Sequence, residues 1–137
     1  MKINLEWKGG SLFEATDEMG HKIQVEGSPE TGGKDLAMRP METLLASLAG
    51  CSSIDVVHIL RKGRHEVKDY RVNVTGKRRE EVPKYFTEIH LRFEVSGSFS
   101  QEVLTRAAAL SVDKYCSVVE MLKGTVKITH DAVKTDN

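Results

Sequence analysis

PMETLLASLAGCSSIDVVHILRKG, residues 40–63, opens on proline, carries Glu42 in what would be a first helical turn, and closes on basic residues and Gly63. Proline suits a first turn, an acid complements the positive end of the helix dipole, and cations complement the negative end, so a single helix is predicted over the whole segment. Leu44, Leu45, Leu48, Ile54, Val56, Val57, Ile59 and Leu60 leave it no broad polar face. Such a helix belongs inside a domain or at a subunit interface. Ala46, Ala49 and Gly50 would let another backbone approach closely. Helical spacing sets Ser47, Cys51, Asp55 and His58 in one polar stripe on this apolar rod. Two readings of the stripe stand side by side: a thiol flanked by polar groups as a redox or transfer centre, or buried polar groups that satisfy one another.

Upstream of the helix, Ile3, Leu5 and Trp7 share one parity, and Leu12, Phe13, Ile23 and Val25 follow across glycine-bearing turns, predicting a short antiparallel meander. Residues 28–39, SPETGGKDLAMR, have no periodicity and read as a loop ended by Pro40. Downstream, Val67, Tyr70, Val72 and Val74 predict one strand, and Ile89, Leu91, Phe93 and Val95, alternating with His90, Arg92 and Glu94, predict another. GKRREEVPKY between them is a charged hairpin end. QEVLTRAAALSVDKYCSVVEMLKG then reads as a helix in two pieces, with Ser100 as its cap and Gly124 as its stop, before a last strand in TVKITHDAV. Strands and helices that cluster rather than alternate predict an α+β fold, and the length predicts a single domain over 1–137. One small sheet cannot cover an all-apolar helix, so a homodimer is expected.

The totals narrow the function. Twenty basic residues balance twenty acidic ones among 137, leaving no global field for nucleic acid or an anionic membrane. No signal peptide is read at the start, and no window is read as approaching a membrane span, so a cytoplasmic protein is expected. In that compartment Cys51 and Cys116 are not expected to form a permanent structural disulfide. His21, His58, His65, His90 and His130 lack metal-ligand spacing, so no metal and no cofactor are expected. Arg61, Lys62, Arg64 and His65 read as a solvated helix end, and Trp7, Tyr85 and Phe86 chiefly as core aromatics.

On its own helix Cys51 finds no activation: the helix start is about ten residues away, Asp55 would disfavour a thiolate, and His58 lies two turns off. Cys116 differs, standing beside Lys114 near the break between two helical pieces, where a helix N-terminus would lower its pKa.

PMETLLASLAGCSSIDVV followed downstream by KYCSVVEMLKG resembles the OsmC/Ohr family of osmotically inducible and organic hydroperoxide resistance proteins, over essentially the whole chain. The resemblance implies an intertwined homodimer whose long central helices pack between β-sheets. It implies a thiol peroxidase of oxidative-stress defence, with Cys51 attacking an organic hydroperoxide, Cys116 resolving the sulfenic acid as a disulfide, and a dithiol as reductant. The alternative is a non-catalytic module of the same fold that binds a small apolar or thiol-bearing ligand at the dimer interface. Well-characterised hydroperoxide reductases of the family carry a glutamate directly after the helix-opening proline and an arginine from the N-terminal strands, which together activate the thiol. Here Met41 follows Pro40, Glu42 comes one position late, and no arginine precedes Lys34. Arg39, Glu42 and Asp55 are the residues left to activate the thiol or bind at its site.

Overall fold

β1 (Ile3–Trp7), β2 (Leu12–Asp17) and β3 (Lys22–Glu26) pair antiparallel in the order β1-β2-β3, with Leu5 opposite Ala15 and Ala15 opposite Ile23. This computed structural model describes residues 1–136, in two compact units divided after Leu44. The meander belongs to the first unit. Its alternation is as predicted, but the apolar parity stays open within the chain: Ile3, Leu5 and Trp7 are 61, 54 and 67% exposed. Trp7 is therefore not a core aromatic, and its indole Nε1 donates to the Gly10 carbonyl at 2.9 Å.

Glu26, at the end of β3, is the buried acid of this unit. Its carboxylate accepts the backbone N–H groups of Lys34 (2.5 Å), Leu36 (2.7 Å) and Ala37 (3.2 Å). Those bonds, that of Lys34 above all, hold its pKa below the usual carboxylate value. The residues predicted as a structureless loop are thus laced to a buried charge. Gly33 sits so close to the Gly27 carbonyl that a Cβ would lie 2.0 Å from that oxygen, which excludes any side chain there.

α1 spans Pro40–Lys62, matching the prediction. Its first turn has half a capping box: Glu42 Oε2 accepts the Arg39 N–H at 2.9 Å, and Thr43 Oγ1 donates to the Arg39 carbonyl at 3.1 Å. Within the chain itself the helix is covered on one side, as expected of an apolar helix that one small sheet cannot enclose. Only Leu48, Ser52, Val56 and Leu60 are buried, a single stripe at i, i+4 spacing, while Ile54 is 72% exposed. The expectation that no window approaches a membrane span needs correction: by length and composition alone α1 would suffice to cross one.

In the second unit β4 (Val67–Arg78) and β5 (Phe86–Gly97) form the predicted hairpin. Arg79 organises its charged end, stacking 4.5 Å over the Tyr85 ring and donating from Nε to the Pro83 carbonyl at 2.7 Å. Ile89, Leu91, Phe93 and Val95 are buried, as the alternation of β5 requires. The chain then crosses through α2 (Gln101–Leu110), one π-helical turn (Ser111–Tyr115) and α3 (Ser117–Leu122) to β6 (Lys127–Lys134). β6 returns parallel to β5, with Leu91 opposite His130. Ser100 caps α2 as predicted, its side chain accepting the Val103 N–H at 3.2 Å.

Candidate functional site

The π-helical turn sets the geometry around Cys116. A π turn carries one more residue per turn than the α-helix it interrupts, so it shifts the side chains that follow it. Here the Cys116 N–H bonds the Ser111 carbonyl at 2.8 Å, five residues back, and Cys116 leaves the helical conformation at φ −67, ψ 111 to become the cap residue of α3. Its side chain is buried. Cys51, in the middle of α1, is half-buried. Asp55 follows one turn later. The ligand atoms of Cys51, Asp55 and Cys116 all lie within 4.8 Å of one another.

Ser111 joins the two segments. Its Oγ lies 3.0 Å from the Ser52 carbonyl and 3.2 Å from Asp55 Oδ2, so the single hydroxyl proton of the π turn is shared between the backbone and the carboxylate of α1 beside the sulfurs. Ser52 in turn donates to the Leu48 carbonyl at 2.9 Å. Ser111 was not legible as a site residue in the sequence. A polar residue directly after the apolar run AAAL was the available signal, but nothing local announces a π turn.

Burial pushes the Cys116 thiol up to about 11, and the neighbouring Cys51 adds to the rise. The amides of Val118 and Val119 at the start of α3 pull the other way, although the side chain makes no capping hydrogen bond. The expectation that a helix N-terminus would lower this pKa is therefore corrected. Position at a helix start favours a thiolate, but removal from water costs it more.

Of the predicted polar stripe, Cys51 and Asp55 meet Cys116, and His58 is exposed at a turn's remove. Asp55 and His58 line a cavity of 690 Å³ together with Ile59, Lys62, Leu110 and Tyr115. Arg39 and Glu42 are engaged in the first unit. Arg39 pairs with Asp35 at 2.5 Å and donates to the Ala37 carbonyl, while Glu42 holds the Arg39 backbone as described above. Among the histidines, His90 bonds Thr129 and Asp131 at 2.7 Å each, and His65 meets the Ser98 carbonyl at 3.0 Å. Arg61, Lys62 and Arg64 are exposed at the end of α1, as expected of a solvated terminus.

A meander, a long helix bearing a cysteine, and a second cysteine in a broken helix between parallel strands define an OsmC-like protein. Residues 32–131 match the family of that description, and the chain belongs to it. It is 44% identical over 131 residues to protein YhfA of Escherichia coli K12, covering 95% of each chain. A hypothetical protein from Aquifex aeolicus superposes with a TM-score of 0.82 at 34% identity, over 98% of this chain and 97% of that one. An organic hydroperoxide resistance protein from Legionella pneumophila shares the fold, with a TM-score of 0.73 at 18% identity and coverage of 98% of both.

Proposed function

We propose that this protein is a cysteine-based thiol peroxidase that reduces organic hydroperoxides. The observation that carries the reading is the approach of the Cys51 and Cys116 sulfurs to within 4.8 Å, with the Asp55 carboxylate as close to both. The Cys51 thiolate attacks one oxygen of the peroxide. An S–O bond forms as the O–O bond breaks, and the alkoxide takes a proton and leaves as alcohol. Cys116 then attacks the sulfur of the resulting sulfenic acid; an S–S bond forms, and hydroxide leaves as water with the proton that Cys116 gives up. A dithiol returns both thiols and becomes a disulfide itself. Closure requires the sulfurs to approach to about 2.05 Å.

Asp55 has a part in the second step. A buried thiol raised to about 11 is a poor nucleophile near neutrality, and a carboxylate beside it can take its proton as it attacks. Arg39 and Glu42, committed to Asp35 and to the cap of α1, serve by ordering the segment that leads into the cysteine helix. The cavity beside Asp55, walled by Ile59, Leu110 and Tyr115, suits an apolar alkyl group on the peroxide.

The reading takes residues 1–137 as one OsmC-like domain that works as a cytoplasmic homodimer. Two open apolar surfaces support the dimer: the Ile3, Leu5 and Trp7 face of the meander and the Ile54 face of α1. The same cavity supports the second reading, a non-catalytic module holding a small apolar or thiol-bearing ligand.

Intact-mass spectrometry of reduced protein given one equivalent of cumene hydroperoxide separates the two. The peroxidase loses two hydrogens in the wild type, gains one oxygen in Cys116→Ser, and is unchanged in Cys51→Ser. A wild type that does not react under these conditions ends the peroxidase reading and leaves the binding module.

A further inference from the structure

Two thiols and a carboxylate whose ligand atoms all lie within 4.8 Å of one another also form a donor set of another kind. Tetrahedral zinc takes thiolate sulfur at about 2.3 Å and carboxylate oxygen at about 2.0–2.2 Å, which spaces its ligands roughly 3.5–3.8 Å apart. Side-chain rotations that close the three atoms by about an ångström reach that spacing. The donors come from two segments. Cys51 and Asp55 share one face of α1 at i, i+4, and Cys116 arrives from the cap of α3, so the set is convergent without any short-range spacing in the sequence.

Two further features fit a cation. Ser111 Oγ, in a fully buried residue, lies 3.2 Å from Asp55 Oδ2 and 3.0 Å from the Ser52 carbonyl, which orients the carboxylate from behind as outer partners of metal ligands do. Asp55 also lines the 690 Å³ cavity, which supplies an entry path and room for a fourth, non-protein ligand.

We propose that Cys51, Asp55 and Cys116 of the reduced protein form a binding site for a thiophilic divalent cation, zinc in the first instance, with a water from the cavity completing a tetrahedron. Binding releases the two thiol protons, and the metal stays divalent throughout. The three protein ligands carry three negative charges against two positive ones. Two sulfurs and one oxygen select zinc over magnesium and calcium, which prefer all-oxygen shells. Occupancy and disulfide formation exclude each other, because both sulfurs are used in each.

Cobalt chloride added to the reduced protein, freed of small thiols, tests the site without any assay of turnover. The expected spectrum has thiolate-to-cobalt charge-transfer bands and the visible bands of tetrahedral cobalt, saturating at one ion per chain and erased by zinc chloride but not by magnesium chloride. Cys51→Ser and Cys116→Ser lose the charge-transfer intensity, and Ser111→Ala weakens affinity by roughly ten- to a hundredfold. Wild type with its thiols alkylated loses the bands too, which keeps the test decisive if a variant fails to fold. Absence of the bands in reduced wild type, or their survival after either cysteine is replaced, overturns the site. A slower reaction with hydroperoxide in the presence of zinc is a further expectation, and that one alone rests on the peroxidase reading. A protein that binds cobalt through both sulfurs and ignores hydroperoxide leaves the metal site standing without the enzyme.

Discussion

At the scale of single residues, the decisive fact is what surrounds each sulfur. Cys51 is half-buried and Cys116 buried, and burial raises the Cys116 thiol to about 11. Below that value each unit of pH multiplies its thiolate roughly tenfold. In the proposed cycle the closure of the disulfide, followed by rapid-quench mass spectrometry after a single dose of peroxide, is therefore expected to accelerate as pH rises from 7 to 10. Asp55→Asn, which removes the neighbouring proton acceptor, is expected to slow closure at pH 7 by about ten- to a hundredfold and to leave the first oxidation of Cys51 within a fewfold of wild type. A closure rate independent of pH in both proteins would remove Cys116 from the role of attacking thiol. The sequence made both cysteines and Asp55 legible because helical spacing alone put Cys51 and Asp55 on one face. It could not reveal how deep Cys116 lies, since depth is decided by tertiary packing, nor that Ser111 would meet Asp55.

At the scale of elements, α1 and the broken helix divide the work. The extent of α1 was legible from proline, acid, base and glycine, and its ends fall as predicted. Its burial was not. An all-apolar composition says that cover is needed without saying which side this chain supplies, and only the Leu48, Ser52, Val56 and Leu60 stripe is covered. Leu48→Ala is expected to cost about 2–5 kcal/mol of unfolding free energy in urea denaturation, because it opens a cavity in a fully buried site. Equal costs at Leu48 and Ile54 in the isolated chain would contradict the one-sided packing. The division of the second helical segment into two pieces was anticipated, with Ser100 as its cap, but the π turn was not. A single π turn of this kind is a rare irregularity that no local propensity announces.

At the scale of the whole molecule, the α+β order was readable because strands and helices cluster. The parallel return of β6 beside β5 was not, since it depends on pairing across a long crossover. The open apolar faces make the clearest expectation here. For the proposed homodimer, Ile54→Glu is expected to shift sedimentation of the purified protein toward the monomer, with Ser53→Glu, a neighbouring polar position, as the control for added charge. A dimer indifferent to Ile54→Glu would mean that this face of α1 is not the one a second copy covers. The parallel β5–β6 pairing also carries a consequence in time. β6 can join β5 only after everything between Gly97 and Lys127 has been made and folded across. Contacts closed over such a distance in sequence form late, after the hairpin of β4 and β5. A growing chain thus exposes Cys51 well before Cys116 has been synthesised, and the two thiols meet only as the molecule completes itself.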